Sequence, residues 1–277
     1  MIVPVASAGD PRIAGFRAVR ERDLVGRDGG FMAEGEVVLR LIARHLARTG
    51  FAGAGHRLEA LLLSDLQARR LAALLDQLPP ELPVHVVPQE VMDEVAGFAI
   101  HRGVLALGRA HPARQAGALL DGLGPRALVV AALGITNHDN MGGIFRNAAA
   151  FGADAVLIDR ASCDPLYRKA IRVSVGASLT VPFARVEDAG ALLDLLAARG
   201  VAAIALSPAG AEPLSALVPP PRVAALFGTE GPGLPAAVLA RARTVAIPMA
   251  RDFDSLNVAT TCGIVLHHLV ERGRGAG

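Results

Sequence analysis

Lysine is almost missing from this chain: among its 28 lysine and arginine residues, Lys169 is the sole lysine. Positive charge therefore rests on guanidinium groups, which grip phosphate in a bidentate way that an ammonium cannot. A codon preference for Ala, Arg, Gly and Pro accounts for the same bias with no partner, and a formal net charge of +2 is too small to demand nucleic acid. Cysteine is scarce too. Cys163 and Cys262 stand far apart and fit neither a CxxC nor a Cys/His ligand spacing, so a reduced compartment and no structural metal are expected. The histidines show no ligand pattern, and His267 and His268 read as packing or surface residues. Long hydrophobic runs are also missing: LLDLLAARGVAAIAL is cut by Asp194 and Arg199 before the ~18 residues a membrane span needs. The opening MIVPVASAGDPR lacks the basic start and apolar run of a signal peptide. The expectation is a soluble, cytoplasmic protein with no membrane segment.

What the chain does have is 277 residues, 52% of them apolar, enough for two ordinary domains with sizeable cores. From Phe31 to about Leu107 the pattern reads as helix, strand, helix, strand. EGEVVLRLIARHLART spaces its apolar residues at three and four, LEALLLS is strand-like, SDLQARRLAALLDQL reads as one capped helix and VHVVP as a further strand. HRGVLALGRA closes this region as a short β-rich run, and the Gly/Pro-punctuated HPARQAGALLDGLGPR reads as a linker. The expected division is a small α/β domain with an N-terminal extension over 1–110, a linker over 111–126 and a second α/β domain over 127–272. In the second domain the strand-like ALVVAAL, ADAVLID, VAAIALS, VAALFG and VAIPM alternate with helical stretches across MGGIFRNAAAFG and DAGALLDLLAARG, and a last helix starts at Ser255. Continuous apolar strands between helices imply a parallel sheet covered on both faces, with ligand loops at the strand ends.

Three of those loops carry unusual residues. In NHDNMGGIFRNAAAFG, Asn140 precedes two glycines that let the backbone turn into a helix, and Arg146 lies one and a half turns inside it. Read plainly, Asn140 is a helix cap and Arg146 a solvated side chain. In LFGTEGPGL a buried strand breaks into three glycines around Glu230, bringing backbone groups within reach of a ligand. The same loop is readable as a simple turn, and it lacks the order of a dinucleotide fingerprint. In IPMARDFDSLNVATTCGIVLHHL, Ser255 is the expected N-cap and Asn257 sits in the first turn; the small residues Ala259 to Gly263 allow close packing.

Taken in this order, the three segments resemble the signature motifs of the SpoU/TrmH family within the SPOUT methyltransferases. Asn137, Asn140, Gly142 and Arg146 match N-x-x-N-x-G-x-x-x-R; Gly228, Glu230, Gly231 and Gly233 match the second motif. Ile247, Pro248, Met249, Ser255, Leu256, Asn257 and Val258 match the third, and Arg172, Ser174, Gly176 and Ala177 look like the intervening R-x-S-x-G-A element. The likeness spans about Ala127 to Val270. FMAEGEVVLRLI and HRGVLAL resemble, more loosely, the small α/β substrate-binding domain that many members carry first. Two departures stand out: His138 and Asp139 replace the usual Pro and Gly, and Arg251, with Asp252 and Asp254 after it, stands where Gly is common.

The resemblance implies a parallel-sheet domain with a deep trefoil knot, S-adenosylmethionine as cofactor, RNA (rRNA or tRNA) as substrate, and a homodimer. It implies methyl transfer to a ribose 2′-hydroxyl, with Asn140, Arg146, Glu230, Ser255 and Asn257 as the catalytic set. The cofactor would lie against Leu226, Gly228, Gly231, Ile247, Met249 and Leu256. Family reasoning makes Arg146 the base, but a guanidinium with a pKa above ~12 accepts protons poorly; clamping the phosphate and stabilising the alkoxide suits it better. Arg168, Lys169 and Arg172, beside Tyr167, form a basic cluster suited to RNA phosphates and equally to a solvated face. Two alternatives stay open: a base-methylating enzyme using Asp252 or Asp254 as proton acceptor, and a non-catalytic RNA-binding or ribosome-assembly protein of the same fold.

Overall fold

The computed structural model describes residues 2–17, 29–50, 54–97, 103–250 and 255–274. Arg251, Asp252 and Asp254 lie outside them. The contacts divide the chain into two compact units, Met1–Pro112 with Leu166–Thr180, and Ala113–Pro165 with Val181–Gly277.

The first unit runs β1 (Ile2–Pro4), a 3-10 turn (Pro11–Phe16), β2 (Gly30–Glu34), α1 (Glu36–Thr49), β3 (Arg57–Ser64), α2 (Asp65–Arg70), α3 (Ala72–Leu75), β4 (Val84–Val87), α4 (Gln89–Ala96) and β5 (Val104–Arg109). Its sheet has the order β1-β4-β3-β5-β2, parallel through β1, β4 and β3, with β5 antiparallel to both its neighbours. The apolar stripe of α1 is buried at Val38, Leu39 and Ile42, and the helix ends at Gly50 in the left-handed region. The single helix expected over 64–78 is two: Ser64 caps α2, and Leu71 (φ −103°, ψ 10°) separates it from α3. Strand β2 is not legible in the sequence because GFMAE has no β-branched residue and is buried throughout, which hides the alternation of a strand.

The second unit begins with β6 (Arg114–Gln115) and α5 (Ala116–Asp121), inside the stretch read as a linker. Ala116, Leu119 and Leu120 are buried in the core there, an i, i+3, i+4 pattern masked by the flanking Gly and Pro. Then follow β7 (Ala127–Ala132), α6 (His138–Ala150) and β8 (Ala155–Ile158). Next in the chain come α7 (Arg168–Val173) and α8 (Ala177–Thr180), then β9 (Phe183–Arg185), α9 (Ala189–Ala197), β10 (Ala202–Leu206) and β11 (Glu212–Pro213). The chain closes with β12 (Arg222–Phe227), α10 (Ala236–Leu239), β13 (Arg243–Ala246) and α11 (Val258–Arg274). Eight strands form one sheet in the order β11-β13-β10-β12-β7-β8-β9-β6, with every described pairing parallel. This is the parallel α/β architecture expected. Order reverses where β7 meets β12, so the carboxyl ends of these strands open a crevice where ligands bind in such sheets.

Helices α7 and α8 belong by their contacts to the first unit, although the sequence boundaries placed them in the second. The reason is electrostatic as well as steric. Arg168 Nε donates to a carboxylate oxygen of Glu34 at 2.9 Å, Arg172 lies 3.8 Å from the same oxygen, and Glu34 is 5% exposed. Ala54 N–H donates to the carbonyl of Leu179 at 2.8 Å.

Candidate active site

All three motif segments converge in the second unit. A cavity of about 400 Å³ opens at the carboxyl ends of β10, β12 and β13. Gly228, Glu230 and Gly231 of the second motif form one side of it, and Ile247 and Met249 another. Ser255, Leu256 and Asn257 close it at the start of α11. Leu206, the last residue of β10, and Ser207 and Pro208 just after it also line it. They carry no motif, and only their place at the end of a buried strand could have pointed to them.

Gly228 is required by space. A Cβ there would stand 2.4 Å from the carbonyl carbon of Gly233 and 2.5 Å from Leu234 N, so the loop folds back on its own backbone. Thr229 holds that fold: Gly233 N–H donates to its carbonyl and its hydroxyl donates to the Gly233 carbonyl, each at 3.2 Å. The result is a cavity wall in which Gly228, Gly231 and Gly233 have no side chains to cover their backbone groups.

Asn140 joins the three motifs. It is 5% exposed, its Nδ2 donates to Glu230 Oε1, and its Oδ1 accepts from Asn257 Nδ2 at 2.7 Å. Neither Asn140 nor Ser255 is the cap its sequence position suggested. Asn137 caps α6, accepting from Asp139 N–H at 2.7 Å and Asn140 N–H at 3.4 Å. Asn257 caps α11, accepting from Ala259 N–H at 2.9 Å and Thr260 N–H at 3.1 Å. The reason lies in register: the helices start at His138 and Val258, one residue after each cap. Asn257 thus spends its oxygen on its own helix and its amide on Asn140.

Other expected site residues fall elsewhere. Arg146 is exposed on α6, does not line the cavity, and makes no ion pair among the described residues. Leu226 is fully buried in the core of β12 and is not among the residues that line the cavity. Arg168 turns inward to Glu34 with its side chain only 18% exposed, so its reading as a phosphate contact gives way to that of an internal ion pair. Lys169 is exposed and Arg172 half-exposed.

Residues 127–267 match the SpoU rRNA Methylase family. An uncharacterized tRNA/rRNA methyltransferase of Mycobacterium bovis is 37% identical over 99% of this chain and 93% of its own length. The AdoMet-bound rRNA methyltransferase of Sinorhizobium meliloti has the same fold, with a TM-score of 0.76 over 98% of each chain at 24% identity. The structure of an RNA 2′-O ribose methyltransferase superposes with a TM-score of 0.71 over 98% of this chain and 99% of that one, again at 24% identity. With its motifs joined through Asn140 and its relatives alike over nearly their whole length, the chain belongs to the SpoU family of tRNA/rRNA methyltransferases.

Proposed function

We propose that the protein transfers the methyl group of S-adenosylmethionine to a ribose 2′-hydroxyl of rRNA or tRNA. The observation that carries this reading is the Glu230–Asn140–Asn257 chain beside a cavity lined by Gly228, Gly231 and Gly233. Among the described residues Glu230 is the sole carboxylate on that wall, and it is engaged with Asn140. For a hydroxyl acceptor in this reading, the proton would leave to a phosphate or water. Backbone groups at Gly228, Ile247 and Leu256 would hold the adenine and ribose of the cofactor. The knot expected of the family belongs to the same reading.

When bound, S-adenosylmethionine would supply an activated methyl group for in-line transfer to the ribose oxygen, with the hydroxyl proton passing to a phosphate or water and S-adenosylhomocysteine as the leaving product. Acceleration comes mostly from alignment. Arg146 would clamp the target phosphate and stabilise the developing alkoxide, with Ser255 and Asn257 orienting the ribose. Because Arg146 faces outward and off its own cavity wall, we assign the active form as a homodimer in which the partner's Arg146 completes the site. The exposed Ala149, Ala150 and Ile264 on α6 and α11 support close packing of a second copy there. Lys169 and Arg172 remain as RNA contacts.

The test is transfer from labelled S-adenosylmethionine to total RNA of a deletion strain, with wild type and Arg146→Ala, followed by alkaline hydrolysis, which cleaves only where the 2′-hydroxyl is free. Label in alkali-resistant dinucleotides with the wild type alone is expected. Label on a base would move the assignment to a base-methylating enzyme using Asp252 or Asp254, and no label at all would favour a binding protein.

A further inference from the structure

We propose that Asp159, with Ser162 as its relay, is a positioning residue for methyl transfer: it fixes the end of β7 so that α6 presents Asn140 to Glu230 and Asn257. Beyond Leu133, whose N–H donates to Phe227 O at 2.9 Å, β7 leaves its ladder. The next two N–H groups are taken by side chains from the loop after β8. Gly134 N–H donates to both carboxylate oxygens of Asp159 at 3.0 Å, and Ile135 N–H donates to Ser162 Oγ at 2.9 Å. Ser162, 6% exposed, is itself held by Asp159, which accepts its N–H at 2.9 Å and its hydroxyl at 2.6 Å. Arg185 at the end of β9 braces the same loop, reaching the carbonyls of Asp159 at 3.3 Å and Ser162 at 3.4 Å and the Asp164 carboxylate at 3.0 Å.

This network bears on the site because Gly134 touches the second motif. Its φ is +68°, and a Cβ there would lie 2.4 Å from Thr229 Cγ2, one residue before Glu230. Three residues on, Asn137 caps α6. A slip of Gly134 therefore displaces Glu230 from one side and Asn140 from the other, while Asp159, Ser162, Gly134 and Ile135 stay off the cavity wall. The carboxylate acts through backbone N–H groups, touching neither cofactor nor acceptor, and charge-assisted bonds of this kind are about twice as strong as neutral ones. The inference rests on methyl transfer at this site and not on which atom accepts the methyl.

The experiment compares full-length wild type, Asp159→Asn and the milder Ser162→Ala, measuring cofactor binding by calorimetry and single-turnover methyl transfer to RNA per bound cofactor. Asp159→Asn should lower the turnover rate about 10- to 100-fold, the scale of an ångström-sized misplacement. Ser162→Ala should fall between it and wild type, and S-adenosylmethionine affinity should stay within about twofold in both, the pattern of an interaction felt only in the transition state. A merely structural role predicts fewer binding-competent molecules with unchanged turnover in each, and that result overturns the inference. If Asp159→Asn does not fold, Ser162→Ala decides alone: unchanged turnover per bound cofactor overturns the proposal. A wild type that binds cofactor yet methylates no RNA overturns the enzymatic reading beneath it.

Discussion

Asn257 Nδ2 donates to Asn140 Oδ1 at 2.7 Å across 117 residues of chain, so the cap of the last helix and the first turn of α6 share one hydrogen bond inside the site. Asn140 passes the connection on to Glu230. Removing the middle member should cost more than activity. Asn140→Ala removes two side-chain hydrogen bonds whose partners, Glu230 and Asn257, are exposed and can turn to water, so a loss of about 0.5–1.5 kcal/mol in urea unfolding is expected. Turnover should drop roughly 10- to 100-fold in single-turnover transfer.

Arg146 should show the opposite division. It is exposed, so Arg146→Ala should stay within about 0.5 kcal/mol of wild-type stability. If it stabilises the developing charge, methyl transfer should fall roughly 10²- to 10³-fold. Arg146→Lys should recover little, because a phosphate clamp needs the planar two-pronged donor. Wild-type rates in either variant would remove Arg146 from the mechanism.

The second-motif loop tolerates no side chain at its first glycine. In Gly228→Ala the new methyl meets Gly233 and Leu234 backbone, which cannot rotate away. Cofactor affinity measured by calorimetry should weaken at least roughly tenfold, about 1.4 kcal/mol, with a strain cost of about 1–3 kcal/mol in thermal unfolding.

Glu34 and Arg168 offer a test of the first unit. Breaking this mostly buried pair with Glu34→Ala should destabilise by about 3–5 kcal/mol, since it takes the carboxylate away from a guanidinium largely shielded from solvent. Replacing both by methionine should recover much of that loss, because well-packed apolar pairs often match a buried ion pair. Equal instability of the single and double variants, read by urea titration, would refute the explanation.

Burial, helped by the neighbouring Asp164 carboxylate, pushes the Cys163 thiol from 9.0 up to about 11. Cys262, wholly inside α11, is pushed higher still by burial. Alkylation of both in the folded protein should therefore be slow at pH 8, with Cys163 reacting faster only as pH climbs toward 11. For Cys163 the folded value is the raised one, so its stabilising share is complete below pH 9.0 and is lost as pH rises through about 11. Rapid labelling of Cys262 in native protein at pH 8 would contradict its buried placement.

Much of this architecture was legible in the residue order. Apolar residues at three- and four-residue spacing marked α1 and α9, and unbroken apolar runs marked β7, β10 and β12, because those periods follow from backbone geometry within a few turns. The motif residues were equally visible, since Asn, Glu and clustered Gly at strand ends are poor choices for packing alone. Strand β2 and helix α5 were not, because their burial hides alternation in one and flanking Gly and Pro mask periodicity in the other.

Local order thus named the participants: Asn137 to Arg146, Gly228 to Gly233, Ile247 to Asn257, and the parallel-sheet class around them. It said nothing of partnership. That Asn140 lies between Glu230 and Asn257, that Arg168 turns to Glu34 while Arg146 faces outward, and that Asp159 holds Gly134 all depend on groups 25 to 134 residues apart in the chain. Hydrogen bonds act over about 3 Å, and only the folded sheet, bringing successive strand ends side by side, places such distant groups within that reach.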